Sequence, residues 1–186
     1  NISVIGLGYI GLPTSALIAN KGTTVLGVDI DKNVVEKINK GETHIFEPKL
    51  DKVVSKVVSE GLLKASTKPM PAKVYLIVVP TPFLENHEPD ISYVESAVEA
   101  IIPIISVGDL IIIESTSPVG TTEKMKDLIY SKRNELKEKI FIAYCPERVL
   151  PGNIFYELEN NDRVIGGINA ESTERAVIFY SKYING

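Results

Sequence analysis

The chain has 186 residues, of which 44% are hydrophobic and 24% charged, and its formal net charge is −4. Such values argue against disorder, a collagen-like repeat or a coiled coil, and leave no bulk positive charge to draw nucleic acid or an anionic membrane. A single cysteine, Cys145, cannot form an intramolecular disulfide and suits a reducing cytoplasm, while no apolar run approaches the ~18 residues of a membrane-spanning helix.

Short apolar runs alternate with helical patterns along the chain. Residues 2–5 read as a buried strand, 9–21 as a helix stopped by Gly22, and 24–28 as a second strand. Two helices follow, over 31–39 and 48–59, closed by Gly41 and Gly61. Residues 62–66 suit a short strand, and the β-branched run 74–79 is a strand ended by Pro80. Asp90 should cap a helix to about Ile102; a strand over 110–114, a helix over 121–133 and a strand over 140–143 come next. Val164-Ile165 is a candidate short strand, and Asn169 should cap a last helix to about Tyr183. The stretches 80–89 and 145–162 read as irregular. Strands that are apolar throughout belong to parallel sheets covered on both sides. The expected fold is therefore α/β: a Rossmann-type, doubly wound, mainly parallel sheet with helices on both faces. The chain opens at Asn1, directly before its first apolar run, and stops at Gly186 without a closing element. No signal peptide is expected, and residues 1–186 are expected to be one domain of a longer protein.

Gly6, Gly8 and Gly11 form a G-x-G-x-x-G that follows a strand and opens a helix. Asp29 ends the second strand at about the distance expected for the partner acid, roughly 20 residues on. Gly6 permits the tight turn, Gly8 the approach of a pyrophosphate, and Gly11 close helix–strand packing; the helix's first N–H groups then face the phosphates. The Asp29 carboxylate suits ribose hydroxyls and would repel a 2′-phosphate, so the cofactor should be NAD rather than NADP. Thr81 is held between Pro80 and Pro82, which aims its hydroxyl at a cofactor or merely stiffens a turn. Residues 114–122 carry Thr116 and Thr122 among other hydroxyls; Thr121 or Ser117 is expected to cap the helix there. Glu147, just past a strand, is a candidate base or water-orienting group and Arg148 a candidate anion binder, or else the two form a surface pair.

These segments resemble the UDP-glucose/GDP-mannose dehydrogenase family over nearly the whole chain. The resemblance is carried by residues 4–13 (VIGLGYIGLP), 79–83 (VPTPF), 87–90 (HEPD), 114–120 (ESTSPVG), 144–152 (YCPERVLPG) and 161–167 (NDRVIGG). The HEPD and PERVLPG stretches resemble the branch acting on UDP-N-acetylhexosamines. What the resemblance implies is a two-step, two-NAD oxidation of a sugar C6 alcohol to a carboxylate through a thioester on a cysteine. UDP-N-acetyl-D-mannosamine is the favoured substrate, with UDP-glucose, UDP-N-acetylglucosamine and UDP-N-acetylgalactosamine as alternatives. The family's nucleophilic cysteine and catalytic lysine have no counterpart here, so this chain is expected to be the inactive cofactor domain, without the central helix and C-terminal substrate domain. Tyr9 and Ile10 match backbone contacts to the pyrophosphate, and Thr81 and Thr122 match cofactor contacts. Thr116 and Glu147 match residues that position the hydrolytic water, and Arg148, Val149 and Leu150 open the sugar-nucleotide loop. His44 and His87 match no metal spacing, and no metal is expected. The full-length protein should be a homo-oligomer. A reading of a different class is an NAD-responsive binding module without chemistry.

Overall fold

A computed structural model describes residues 1–85, 87–150 and 152–186. Among the described residues, seven strands form one sheet: β1 (Ile2–Ile5), β2 (Val25–Val28), β3 (Leu63–Ser66), β4 (Val74–Ile77), β5 (Leu110–Ile113), β6 (Phe141–Tyr144) and β7 (Gly166–Gly167). Their order is β3-β2-β1-β4-β5-β6-β7, with every pairing parallel except that of β7. β1 is an interior strand, third in the order, with Ile2 facing Val25 on one side and Val74 on the other. Between β1 and β4 the strand order reverses, and in such sheets ligands bind outside the C-terminal strand ends at this switch point.

The helices are α1 (Gly11–Asn20), α2 (Lys32–Asn39), α3 (Leu50–Ser59), α4 (Ser92–Ile101), α5 (Thr121–Lys132), α6 (Ile154–Asn160) and α7 (Ala170–Tyr180). Strand residues alternate between two cores. Leu110 and Ile112 join a cluster with Leu12, Ile38, Val54 and Phe179 from α1, α2, α3 and α7. Ile111 and Ile113 join a second cluster with Val98 and Ile101 from α4 and Ile129 from α5. The period-two alternation of a strand sends neighbouring residues to opposite faces, which is why the apolar runs lack polar positions. The sheet is thus doubly wound, as expected. Gly22, Gly41 and Gly61 all carry positive φ where helices end.

Several local expectations change. The last strand is Gly166–Gly167, antiparallel to β6, and not Val164-Ile165. A Cβ on Gly167 would lie 2.4 Å from the Thr173 nitrogen, so only glycine lets α7 pack this close to the strand. The stretch 145–162 contains α6, whose buried Ile154 and Leu158 lie one turn apart and pack on Leu17 of α1. Neither Thr121 nor Ser117 caps α5. Thr121 Oγ1 donates to the Pro118 carbonyl and Ser117 Oγ to that of Ser115, while Gly120 in the left-handed region begins the helix. Asn169 Oδ1 caps α7 as expected, accepting the Ser172 N–H at 2.8 Å; Asp90 is not the N-cap of α4, which is Ile91 without a side-chain cap, and its Oδ1 accepts the Ser92 N–H at 2.9 Å from one position earlier. Pro151, part of the PERVLPG motif, lies outside the described residues. No helix among the described residues is long and apolar enough to cross a membrane.

Candidate functional site

The glycine turn leaves β1 and enters α1. Gly6 has φ +98°, and a Cβ there would lie 2.3 Å from the Val78 carbonyl oxygen. A Cβ on Gly11 would lie 1.9 Å from the Gly6 carbonyl oxygen. The fold itself therefore demands both glycines. Gly8 differs: its φ is not in the left-handed region, and a Cβ would meet no atom within 4 Å. Open space in front of a helix N-terminus is what a close-approaching pyrophosphate requires. The N–H groups of Tyr9 and Ile10 donate to no protein acceptor among the described residues. No side chain caps α1, and its first turn holds no acid, so the positive end of the helix dipole is uncompensated.

Asp29 follows β2 beside this turn. Its Oδ2 accepts from the Leu7 N–H at 3.0 Å and its Oδ1 from the Asp31 N–H at 2.9 Å. The carboxylate thus braces the turn, and each oxygen keeps acceptor capacity for a ribose hydroxyl. His44 stands close enough for Asp29 to draw its pKa upward, but burial of the ring dominates and lowers it; Nδ1 is buried without a partner among the described residues.

The remaining expected contacts follow β4, β5 and β6 on the same edge. Ser115 ties two strand ends together: its Oγ donates to the Val79 carbonyl at 2.8 Å and accepts the Val79 N–H at 2.9 Å. Thr81 comes just after Val79 and is half-buried, and Thr116 comes just after Ser115 and is exposed. Thr122, in the first turn of α5, lines a cavity of about 290 Å³ with Ser117, Gly120 and Tyr144.

Glu147 follows β6. It forms no surface pair with the Arg148 guanidinium, which instead donates from Nη2 to the Asp162 carbonyl at 3.3 Å. The Glu147 carboxylate takes the Arg148 backbone N–H at 2.9 Å and pairs with Arg163, both side chains being only 6% exposed. Burial explains the change of partner, since a carboxylate out of water needs a cation and hydrogen bonds around it. Arg163 Nη2 also donates to the Leu158 carbonyl at 3.1 Å, and its guanidinium lies 5.4 Å from the Tyr180 ring centroid. Tyr180 in turn donates to Glu114 Oε1 at 2.5 Å. Burial raises the Glu114 carboxyl above its usual range, against the Tyr180 hydrogen bond and Arg163, which lower it. Burial likewise pushes the Cys145 thiol up to about 11, with Glu114 adding to the effect. Glu114, Cys145, Glu147, Arg163 and Tyr180 form a buried polar cluster behind the strand ends. Sequence reasoning caught Arg163 only inside the NDRVIGG segment and gave it no role, because its partner is distant along the chain. Val149 turns inward onto the Leu17 and Ile154 cluster, whereas Arg148 and Leu150 remain exposed. No group of three or more His, Cys, Asp or Glu side chains that could hold a metal is found among the described residues.

The family model of the UDP-glucose/GDP-mannose dehydrogenase family, NAD binding domain, matches residues 1–184. The chain belongs to this family. It is 51% identical over 193 aligned positions to UDP-N-acetyl-D-mannosamine dehydrogenase of Escherichia coli (strain K12), covering 100% of this chain and 46% of the relative. It is 48% identical over 193 positions to NDP-N-acetyl-D-galactosaminuronic acid dehydrogenase of Ralstonia nicotianae, again covering 100% and 46%. Among solved structures, UDP-N-acetyl-mannosamine dehydrogenase from Staphylococcus aureus superposes with a TM-score of 0.94 at 41% identity, covering 100% of this chain and 46% of that one. The chain therefore spans about half the length of the curated relatives it matches. As an NAD-binding domain of this family, its residues fit the cofactor: open space at Gly8, unengaged N–H groups at Tyr9 and Ile10, and an acid at Asp29.

Proposed function

We propose that this chain is the cofactor-binding part of a longer, cytoplasmic, homo-oligomeric dehydrogenase that oxidises the C6 alcohol of UDP-N-acetyl-D-mannosamine to the carboxylate. The observation that carries the NAD half is the Gly8 geometry. A glycine that the fold does not need, in front of an uncapped helix and beside a carboxylate, answers to a ligand. The similarity to enzymes named for UDP-N-acetyl-D-mannosamine supports the sugar. NAD held by these residues would supply the hydride acceptor for each of the two oxidations at C6. This chain's residues do the rest of the work at its edge. Tyr9 and Ile10 hold the pyrophosphate through their N–H groups, Asp29 the ribose, and Thr81 and Thr122 the cofactor's other contacts. Arg148 and Leu150 meet the sugar nucleotide, with Val149 anchoring their loop. The thioester left after the second oxidation, on a cysteine outside this chain, is cleaved by water. Glu147 and Thr116 orient that water. Held by Arg163 and the Arg148 N–H, Glu147 is fixed in direction, and fixing the nucleophile's approach is itself a large part of such a rate.

The match to the Ralstonia enzyme favours a second sugar, UDP-N-acetylgalactosamine, with the same chemistry. Full-length enzyme supplied with each UDP-sugar should release two NADH per sugar, fastest with UDP-N-acetyl-D-mannosamine, and yield the uronate. A higher kcat/KM for the galacto sugar would select the second reading. No NADH from any nucleotide sugar would leave a binding module without chemistry.

A further inference from the structure

The buried acid Glu47 lies outside every motif discussed so far. It sits in the segment between α2 and α3, is 5% exposed, and has no ion-pair partner among the described residues. Its carboxylate instead accepts two backbone N–H groups from the far end of the chain, Gly152 on Oε2 at 3.0 Å and Ile154 on Oε1 at 2.8 Å. Those two amides are where the loop that begins at Arg148 enters α6. Each oxygen takes one donor, an arrangement that needs two acceptors on one side chain. Glutamine would turn an NH₂ group toward one of the amides.

The ties at either end give the grip a direction. On the Glu47 side, its own carbonyl accepts the Leu50 N–H at 3.2 Å, and Leu50 is fully buried at the start of α3. The preceding carbonyl, that of Phe46, accepts the Tyr9 hydroxyl at 3.3 Å, joining the segment to the glycine turn. On the loop side the other hydrogen bonds are local: Leu150 N–H to Glu157 Oε2 at 2.8 Å and Asn161 Nδ2 to the Arg148 carbonyl at 3.3 Å. These hold the loop to α6, which itself packs on Leu17 of α1 through Ile154 and Leu158 and pairs Glu159 with Lys21; the two Glu47 bonds add a tie to the segment between α2 and α3 at the point where the loop enters the helix.

We propose that Glu47 is a positioning residue for the sugar-nucleotide loop, fixing the junction of the loop and α6 to the segment between α2 and α3 through its two backbone hydrogen bonds. It acts on substrate through Arg148 and Leu150 and touches no reacting atom, so its loss should be read in sugar binding rather than in chemistry. This rests on the reading above that the loop from Arg148 contacts the sugar nucleotide.

The test compares Glu47→Gln with Arg148→Ala in the full-length enzyme. Glu47→Gln should raise KM for the UDP-sugar by about 10-fold, the loss of one charge-assisted hydrogen bond, with kcat and NAD affinity little changed. If Arg148→Ala raises KM and Glu47→Gln does not, the loop reading stands and the role of Glu47 is overturned. If Arg148→Ala leaves KM unchanged, the loop reading falls and takes the proposal with it. A measurement without a variant guards against a folding failure. In the wild-type 186-residue chain, the Gly152 and Ile154 amides should exchange with deuterium far more slowly than exposed loop amides. Exchange at the rate of a free loop would overturn the grip.

Discussion

The carboxylate of Asp29 accepts the backbone N–H of Leu7 at 3.0 Å, so the acid assigned to the ribose also holds the glycine turn in shape. Asp29→Ala should therefore weaken NAD by more than the ribose contact alone, which is worth roughly 1.5–3 kcal/mol as a charge-assisted hydrogen bond. Calorimetry of the variant and the parent with NAD and NADP checks both parts. The parent should prefer NAD clearly, and equal affinities would refute the assignment of Asp29.

The three glycines of the turn should separate by experiment. Gly11→Ala drives a Cβ into the Gly6 carbonyl and should destabilise the fold by ~1–3 kcal/mol or more, because the clashing atom is backbone. Gly8→Ala meets nothing and should leave thermal stability unchanged or slightly raised, by ~0.4–1 kcal/mol, while NAD binding drops sharply. Thermal melts paired with calorimetry give the contrast. A Gly8→Ala protein that binds NAD normally would show that the pyrophosphate lies elsewhere.

Most of this was legible in the sequence because the informative signals are local. Apolar runs such as Leu110–Ile113, a glycine after each of three helices, and Asp29 at the end of its strand each act through the residues around them. The misses have the opposite character. α6 is seven residues long and shows only Ile154 and Leu158 as buried positions, too few to establish a period. Glu147 reads as a neighbour of Arg148, yet its cation is Arg163, brought by the antiparallel return of β7. Glu47 reaches across 105 residues to Gly152, a contact that no pattern along the chain encodes.

The burial of Glu114, which outweighs its hydrogen bond from Tyr180 and the nearby Arg163, predicts a pH dependence of stability. A carboxyl whose pKa is raised in the folded state binds its proton more tightly there than when unfolded. Its contribution is fully present at acid pH, below the unfolded value, and is lost as pH rises through the folded value. Glu114→Gln removes the buried charge and keeps an acceptor for the Tyr180 hydroxyl. Wild type should lose stability relative to the variant as pH rises from acid to neutral, followed by thermal melts across that range. Parallel curves would mean that Glu114 does not titrate as a buried acid.

Cys145 should be inert. It is fully buried, and with its thiol pushed up to about 11 only about one molecule in a thousand is thiolate at pH near 8. Native chain treated with iodoacetamide should stay unmodified, as mass spectrometry would show, and react fully once denatured. Cys145→Ala in the full-length enzyme should keep its turnover; a dead variant would make Cys145 part of the chemistry.

Glu147→Gln in the full-length enzyme should slow turnover by ~10²–10⁴-fold and let the covalent adduct accumulate on the downstream cysteine, with NAD affinity nearly unchanged. Because Arg163 would lose its buried partner, the melt of the variant must be taken alongside, and a stability loss of ~3–5 kcal/mol is expected as well. Unaltered turnover in a folded variant would reduce Glu147 to a structural partner of Arg163.

The central claim is that NAD lies across the C-terminal edge of the sheet, over Gly8, and a crystal structure of the chain with NAD tests it most directly. The account predicts the pyrophosphate within hydrogen-bond reach of the Tyr9 and Ile10 N–H groups, the adenosine ribose on Asp29, and the nicotinamide half toward Thr81 and Thr122. NAD bound at the opposite edge, or with its adenosine end at β5 and β6, would contradict it.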